Sequence, residues 1–174
     1  MEVTTPLPQS MLAPAPDKPV QKVLVIVSKG TIEDVYAGLI LANGALMEGL
    51  EAKLFFTFFG LDAIRKDRQD HLHTATVGNP SFLYRIPTMV GGLPGFEALA
   101  SSMMRREMDK LDIPPVSEFL EMIVAGGGEI YACKLAAEMF KIDEDDLIDD
   151  LAGVITVGDM YGLAAGEGTQ ILFI

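Results

Sequence analysis

The chain has 174 residues, of which 49% are hydrophobic, and it carries a formal net charge of −12 at pH 7. This length predicts one domain with a sizeable core, and the apolar fraction indicates very apolar strands and surface buried in an oligomer. The acidic balance argues against a nucleic acid partner, and no apolar run reaches the roughly 18 residues that a membrane span needs.

The N-terminal tail, residues 1–19, contains five prolines and no basic region of the kind that opens a signal peptide. We expect this tail to be extended or disordered, and we expect residues 20–174 to form a single domain. Cys133 is the only cysteine, so the chain cannot form an internal disulfide framework. A reducing cytoplasm is therefore the simplest compartment.

The first structured segment is an apolar run at residues 23–27, which is typical of a buried parallel strand. The turn Ser28–Gly30 follows, and Thr31 and Asp34 fit a capping box that opens a helix. Apolar side chains recur at helical spacing on most sides of this helix, which predicts that it is buried between layers or subunits. Gly49 is predicted to end it.

Strand and helix patterns alternate along the rest of the chain, interrupted by the prolines and glycines of residues 71–97, which predict a long irregular insertion. Ser117 is a predicted N-cap and Gly126 a predicted C-cap. The alternation predicts an α/β fold with three layers, in which a mainly parallel sheet has helices on both faces. The predicted strands are Ala52–Phe58, 129–132, 153–156 and 170–174, and the predicted helices are Asp62–Asp70, Phe96–Leu111, Val116–Ala125, 134–140, Asp143–Asp150 and Tyr161–Ala165.

Cys133 lies where a predicted strand gives way to a predicted helix. The unpaired N–H groups and positive dipole end of a helix favour a thiolate, the nucleophilic form of sulfur, and Lys134 adds a positive charge. Ligand sites in parallel sheets also gather at the carboxyl ends of strands. Against this, a lone cysteine is often a small buried apolar residue, and the sequence pattern alone leaves that structural interpretation slightly ahead.

The turn formed by Ser28, Lys29 and Gly30 precedes a helix N-terminus, where backbone N–H groups can bind an anion. It matches neither a dinucleotide fingerprint nor a phosphate loop, so an ordinary connection is the simpler interpretation. His71 and His73 have no further His or Cys nearby, and we interpret them as a solvated loop, not as metal ligands. We therefore predict no metal site and no cofactor.

Four segments together resemble the DsrE/DsrF-like sulfurtransferase family, in its larger branch often labelled "peroxiredoxin family protein". The matching segments cover most of residues 22–174 and read KVLVIVSKGTIEDVYAGLILANGA, AKLFFTFFGL, MMRREMDKLDIPPVSEFLEMIVAGGGEIYACKLAAEMF and AGVITVGDMYGLAAGEGTQILFI. The resemblance implies a small α/β domain that assembles into trimers or hexamers, and it implies that the sulfur-carrying cysteine of the family falls on Cys133. It also implies that Ser28–Gly30, Phe58, Phe59 and Gly60 lie near the cysteine pocket.

The peroxidase activity suggested by that label does not fit the residues before the cysteine. A peroxidatic cysteine stands in a Pro-x-x-x-Thr-x-x-Cys pattern, and the corresponding positions here are Gly126 and Ile130. We therefore predict a sulfur-relay protein that carries sulfane sulfur as a persulfide on Cys133 and exchanges it with donor and acceptor proteins that bear reactive thiols. The alternative is a non-catalytic binding or scaffold protein with a buried Cys133 and an anion-binding turn at Ser28–Gly30.

Overall fold

A computed structural model describes residues 19–75 and 95–174. The described strands are β1 (Lys22–Val27), β2 (Glu51–Phe56), β3 (Glu129–Cys133), β4 (Gly153–Ile155) and β5 (Thr169–Phe173). They form one sheet in the order β4-β3-β2-β1-β5, and every neighbouring pair is parallel. The helices are α1 (Ile32–Met47), α2 (Phe96–Asp109), α3 (Val116–Ala125), α4 (Lys134–Phe140) and α5 (Val157–Leu163), with 3-10 segments at Phe58–Ile64 and Glu144–Asp146.

Helix α1 packs against one face of the sheet. Val25 and Val27 of β1 are fully buried on that face, and Gly38 of α1 comes so close that a Cβ there would stand 2.8 Å from a Val27 methyl carbon. The predicted strand at residues 23–27 and the helix stop at Gly49, which has a φ of +76°, are both confirmed. Helix α1 therefore lies directly on the central strands.

Helix α5 lies over the opposite face. Side chains alternate along a strand, so Lys22 points away from the face that α1 covers. Its ammonium group donates hydrogen bonds to the carbonyl oxygens of Leu163 and Ala165, at the end of α5. The connection from β4 to β5 thus returns across the second face, and the predicted three-layer fold with helices on both faces is confirmed.

Several predicted elements differ in their bounds. The strand predicted at Ala52–Phe58 ends at Phe56, and the helix predicted at Asp62–Asp70 is replaced by the earlier 3-10 segment Phe58–Ile64. Phe58 takes a φ of 46°, and this left-handed residue breaks the strand pattern. The acidic stretch Asp143–Asp150 forms only a short 3-10 turn at Glu144–Asp146, because buried Leu147 turns back to bridge the chain at Arg65.

The predicted helix ends are partly wrong. Pro115, not Ser117, is the N-cap of α3, whereas Gly126 is its C-cap as predicted. Thr31 is the N-cap residue of α1, but its side chain makes no capping hydrogen bond to the helix backbone; its hydroxyl donates to the Asp34 carboxylate at 2.6 Å. The helix predicted at Tyr161–Ala165 begins four residues earlier, at Val157.

Two predicted regions fall largely outside the described residues: the tail at 1–19, of which only Pro19 is described, and positions 76–94 of the insertion at 71–97. In the parts of the chain that the structure does describe, no helix combines the length and the apolar character needed to cross a membrane.

Candidate functional site

The candidate site lies along the edge of the sheet where the parallel strands end. At this edge β1 runs into the turn Ser28–Gly30, β2 runs into Thr57–Gly60, and β3 ends on Cys133. Because β2 lies between β1 and β3, the Thr57–Gly60 segment lies between the turn and the cysteine strand. The fold therefore gathers at one edge the segments that the sequence singled out.

The first two of these segments interlock. Thr57 N donates to Val27 O at 2.9 Å, and Gly60 N donates to Ser28 O at 3.2 Å. Neither glycine has room for a side chain: a Cβ on Gly60 would stand 2.2 Å from Val27 O, and one on Gly30 would stand 2.4 Å from Phe59 O. Backbone packing thus requires glycine at both positions, which accounts for the two glycines without any ligand.

The Ser28 turn already uses two of its donors inside the protein. The backbone N–H of Ser28 donates to Ile174 O at 2.9 Å, and its hydroxyl donates to the same oxygen at 2.8 Å. The Lys29 ammonium forms an ion pair with Asp34 at 3.1 Å. A ligand at this turn would therefore have to compete for Lys29 or use the remaining N–H groups.

Cys133 is the last residue of β3 and the N-cap of α4. Its backbone is extended, with φ −74° and ψ 116°, and its side chain makes no capping hydrogen bond to the helix. The residue is buried, with a relative exposure of 4%, whereas Lys134 beside it is exposed. The structure therefore has the predicted junction of strand and helix, and Cys133 is buried at that junction.

The 3-10 segment that follows β2 packs against both β3 and α4. The rings of Phe59 and Phe140 meet at 5.5 Å between centroids, which joins that segment to the end of α4. Exposed apolar side chains lie on the segments next to the cysteine strand, with Phe58 and Phe59 on the 3-10 segment and Leu135 on α4.

The positive charge of Lys134 acts on a carboxylate of α5. Asp159 has its pKa lowered mainly by a hydrogen bond from the Thr156 side chain, then by the Thr156 backbone and by the Lys134 charge. Thr156 and Asp159 form a capping box that opens α5. The Thr-x-x-Asp spacing was visible in the sequence and would have placed the start of α5 correctly.

A cavity of about 840 Å³ opens beside the Ser28 turn, and Cys133 is not among its lining residues. Its polar groups lie close to one another: Arg68 pairs with Asp62 at 3.3 Å, and His73 Nδ1 lies 3.5 Å from the Glu97 carboxylate. Within residues 19–75 and 95–174, no group of three or more His, Cys, Asp or Glu side chains is placed to hold a metal ion. His71 and His73 lie in the exposed wall of this cavity.

A polar network that the sequence did not reveal lies on the sheet face opposite α1. Lys53 forms an ion pair with Glu129 on the neighbouring strand, and the Tyr131 hydroxyl donates to the same carboxylate at 2.6 Å. The hydrogen bond from Lys53, followed by that from Tyr131, holds the pKa of Glu129 below its usual value. Burial, together with the neighbouring carboxylate, raises the pKa of Tyr131 to about 12.

Comparison with known proteins identifies relatives over nearly the whole chain. A sequence model of the "DsrE/DsrF/DrsH-like family" matches residues 19–173. "Sulfur carrier protein DsrE2" of Allochromatium vinosum is 26% identical over 162 residues, covering 88% of this chain and 98% of that protein. "Uncharacterized protein YrkE" of Bacillus subtilis is 26% identical over 160 residues, covering 88% of this chain and 97% of that protein.

Two solved structures share the fold. The ychN protein from E. coli superposes with a TM-score of 0.55 at 14% identity, covering 89% of this chain and 100% of its own. Protein MTH1491 from Methanobacterium thermoautotrophicum is described as of unknown function. It superposes with a TM-score of 0.53 at 13% identity, covering 88% of this chain and 98% of its own. At 13–14% sequence identity, these two similarities show a shared fold and nothing about a shared role.

Proposed function

The chain belongs to the DsrE/DsrF/DrsH-like family, and we propose that it is a sulfur-relay protein that carries sulfane sulfur as a persulfide on Cys133. The observation that carries the proposal is the position of the only cysteine, at the carboxyl end of a parallel strand and at the start of a helix. The relative named as a sulfur carrier protein supports the same role.

The proposed chemistry is an exchange between thiols. The Cys133 thiolate attacks the outer sulfur of a donor persulfide, the sulfur–sulfur bond of the donor breaks, and the donor leaves as a thiolate. An acceptor thiolate then attacks the outer sulfur on Cys133, which releases Cys133 as a thiolate. Each bond that forms replaces one of the same kind, so the relay needs no metal, organic cofactor or external oxidant.

The surroundings of Cys133 support such a reaction in three ways. The first N–H groups of α4 follow it directly and favour negative charge beside them. Lys134 supplies a nearby cation, although Asp159 shares it. Phe58, Phe59 and Leu135 expose apolar surface on the neighbouring segments, on which donor and acceptor proteins can dock.

The burial of Cys133 shapes the rest of the proposal. A thiol with 4% exposure reacts with a partner that enters the site, so sulfur should pass within a protein complex.

We further propose that residues 20–174 act as a single domain, that the protein works in the cytoplasm, and that it assembles as a homotrimer or hexamer.

The alternative is a non-catalytic binding or scaffold protein. The same burial favours it, because a buried free cysteine behaves as a small apolar residue. In this alternative the Ser28 turn would hold an anion, although two of its donors are bonded to Ile174. A one-cysteine peroxidase would instead require rapid peroxide turnover with an external thiol.

Mass spectrometry after incubation with polysulfide separates these functions. The relay predicts a mass increase of one or more sulfur atoms on the Cys133 peptide, with no increase in Cys133→Ser. A matched control moves the only thiol to an exposed helix position, with Ser102→Cys in the Cys133→Ser background. Slower or absent sulfur loading there shows that the site, not the thiol alone, supports the chemistry. A native Cys133 that resists both polysulfide and small alkylating agents favours the scaffold.

A further inference from the structure

Cys133 shares its face of the sheet with two polar residues of the same strand. Side chains alternate along β3, so Glu129, Tyr131 and Cys133 lie on the face opposite α1, whereas Ile130 and Ala132 are fully buried on the other face. Tyr131 is therefore the neighbour of Cys133 along the strand on that face. Because Cys133 is only 4% exposed, a small movement of this ring is enough to change access to the thiol.

The ring of Tyr131 is held on the side away from Cys133. Its hydroxyl donates to the Glu129 carboxylate at 2.6 Å, and Glu129 lies two residues before Tyr131, whereas Cys133 lies two residues after it. A side chain in a strand can lean in either direction along the strand. The hydrogen bond to Glu129 therefore selects the direction that leads away from the cysteine.

The acceptor of this hydrogen bond is a charged and paired group. Lys53, the register partner of Glu129 on β2, forms an ion pair with the same carboxylate oxygen. The hydrogen bond from Lys53, followed by that from Tyr131, lowers the pKa of Glu129, so the carboxyl is ionised at neutral pH. Burial raises the pKa of Tyr131 to about 12, so its hydroxyl remains a donor. Hydrogen bonds to charged acceptors are stronger than those between neutral groups.

A hollow lies on the other side of Tyr131. Its register partner on β4 is Gly153, which has no side chain. Within the part of the chain that the structure describes, a Cβ on Gly153 would meet only a methyl carbon of Ile155, at 3.8 Å. Ile155 is the register partner of Cys133, so the hollow borders the cysteine diagonally, within the reach of an aromatic side chain.

We propose that Tyr131 is a positioning residue for sulfur transfer: the Lys53–Glu129 pair anchors its hydroxyl and keeps its ring out of the hollow over Gly153, so that a sulfur donor can reach the Cys133 thiol. In this role, which rests on the sulfur relay proposed above, Tyr131 exchanges no bond or proton with sulfur. The polar network on this face thereby acquires a function at the cysteine.

The rate at which iodoacetamide alkylates Cys133 in the folded protein tests this role. Tyr131→Phe keeps the ring but removes its anchor, so the rate should fall roughly twofold or more as the ring divides its time between two positions. Tyr131→Ala removes the ring and should react at least as fast as the native chain. A merely structural role predicts a faster reaction in Tyr131→Phe, because a destabilised protein opens more often and exposes a buried thiol.

Tyr36→Phe is the matched control for the loss of a tyrosine hydroxyl. Tyr36 lies on α1, across the sheet, and its hydroxyl donates to Pro114 O at 2.9 Å. This control should leave the alkylation rate of Cys133 unchanged. In Tyr131→Phe the pH midpoint of alkylation should also stay unchanged while the rate at high pH falls, because the substitution removes no charge at neutral pH. A shifted midpoint with an unchanged high-pH rate overturns the proposal.

Filling the hollow should rescue the slow variant. Gly153 lies in β4 and is not among the glycines with positive φ, so alanine can replace it without backbone strain. Gly153→Ala alone should react at nearly the native rate. Combined with Tyr131→Phe, it should restore most of the lost rate, because the added methyl group occupies the place that the freed ring would take. A double variant as slow as Tyr131→Phe overturns the proposal.

Substitutions of Glu129 test the anchor itself. Glu129→Gln keeps an oxygen that accepts a hydrogen bond from Tyr131 and should stay near the native rate. Glu129→Met has similar length but no such oxygen, and should be about as slow as Tyr131→Phe. The double variant Tyr131→Phe/Glu129→Met should be no slower than either single variant, since both remove the same contact. Additive losses would contradict an anchor shared by the two residues.

Alkylation and sulfur loading together separate this role from the relay. The alkylation rates decide the position of the ring whether or not Cys133 takes sulfur. If polysulfide loads the native chain and Tyr131→Phe at the same rate, the relay stands and the positioning role is overturned. If the native chain takes no sulfur, the relay itself fails. A native thiol that iodoacetamide never reaches also overturns the positioning role, because the anchored ring should leave a path to it.

Discussion

Gly60 lies where the chain leaving β2 packs against the end of β1, and Gly60→Ala should lower the free energy of unfolding by about 3–5 kcal/mol. An added Cβ would stand 2.2 Å from Val27 O and 2.9 Å from Val27 C, although real Cβ contacts essentially never fall below 3.0 Å. Gly60 is not among the glycines with positive φ, so the requirement for glycine is steric. The two backbones must therefore move apart by most of an ångström.

The magnitude follows from what that movement breaks. It stretches the hydrogen bonds from Gly60 N to Ser28 O and from Thr57 N to Val27 O, each with a net worth of about 1 kcal/mol. Residual overlap in a packed region adds about 1–3 kcal/mol. Because the displaced segment packs against β3 and α4, the rate at which Cys133 reacts with a small alkylating agent should change as well.

Urea denaturation followed by circular dichroism measures the loss of stability, provided that the slope with denaturant stays constant. Gly44→Ala is the matched control, since a Cβ on Gly44 meets no atom within 4 Å and the residue lies inside α1. That control should raise stability by about 0.5–1 kcal/mol. A Gly60→Ala protein within about 0.5 kcal/mol of the native chain would refute the interlocked turns.

Substitutions at three further residues test other contacts. Tyr36→Phe removes the hydrogen bond from the Tyr36 hydroxyl to Pro114 O at 2.9 Å and should cost about 1 kcal/mol in the same denaturation assay. Thr156→Ala removes the side-chain cap of α5 and should also cost about 1 kcal/mol, which Thr156→Ser should restore. The hydrogen bond from Lys53 lowers the pKa of Glu129, so its stabilisation is present above the ordinary pKa of 4.5 and is lost as the pH falls through the lower folded value. Glu129→Gln should therefore reduce the loss of stability on acidification below pH 4.5.

Each of these predictions can fail clearly. Unchanged stability in Tyr36→Phe would mean that water replaces the lost donor at Pro114. A Thr156→Ser protein as unstable as Thr156→Ala would show that the hydroxyl does not cap α5. Identical acid profiles for the native chain and Glu129→Gln, measured as denaturation midpoints between neutral and acidic pH, would show that the network leaves the carboxyl unperturbed.

Local sequence patterns predicted the helices and strands that are determined by residues close together in the chain. The span of helix α3, Val116–Ala125, was predicted because prolines precede it and a run of glycines follows it, although its N-cap is Pro115 and not Ser117. Strand β1 was found from its apolar run, because strands buried in a parallel sheet are apolar on both faces. The position of Cys133 at the carboxyl end of β3 also followed from the sequence, because a predicted strand comes directly before it and a predicted helix directly after it.

The remaining features depend on contacts between distant parts of the chain. Ser28 bonds to Ile174, at the far end of the sequence, so nothing near Ser28 signals that its donors are occupied. The early end of β2 depends on the left-handed Phe58, in a Phe-Phe-Thr-Phe-Phe run without a turn signal. Lys53 and Glu129 meet only because their strands are neighbours in register.

The central claim is that Cys133 carries sulfur, and mass spectrometry of the native chain after polysulfide treatment tests it most directly. The account predicts one or more added sulfur atoms on the Cys133 peptide, their removal when a second thiol accepts them, and no addition in Cys133→Ser. A Cys133 peptide that keeps its native mass under conditions where small alkylating agents do reach the thiol would contradict the account.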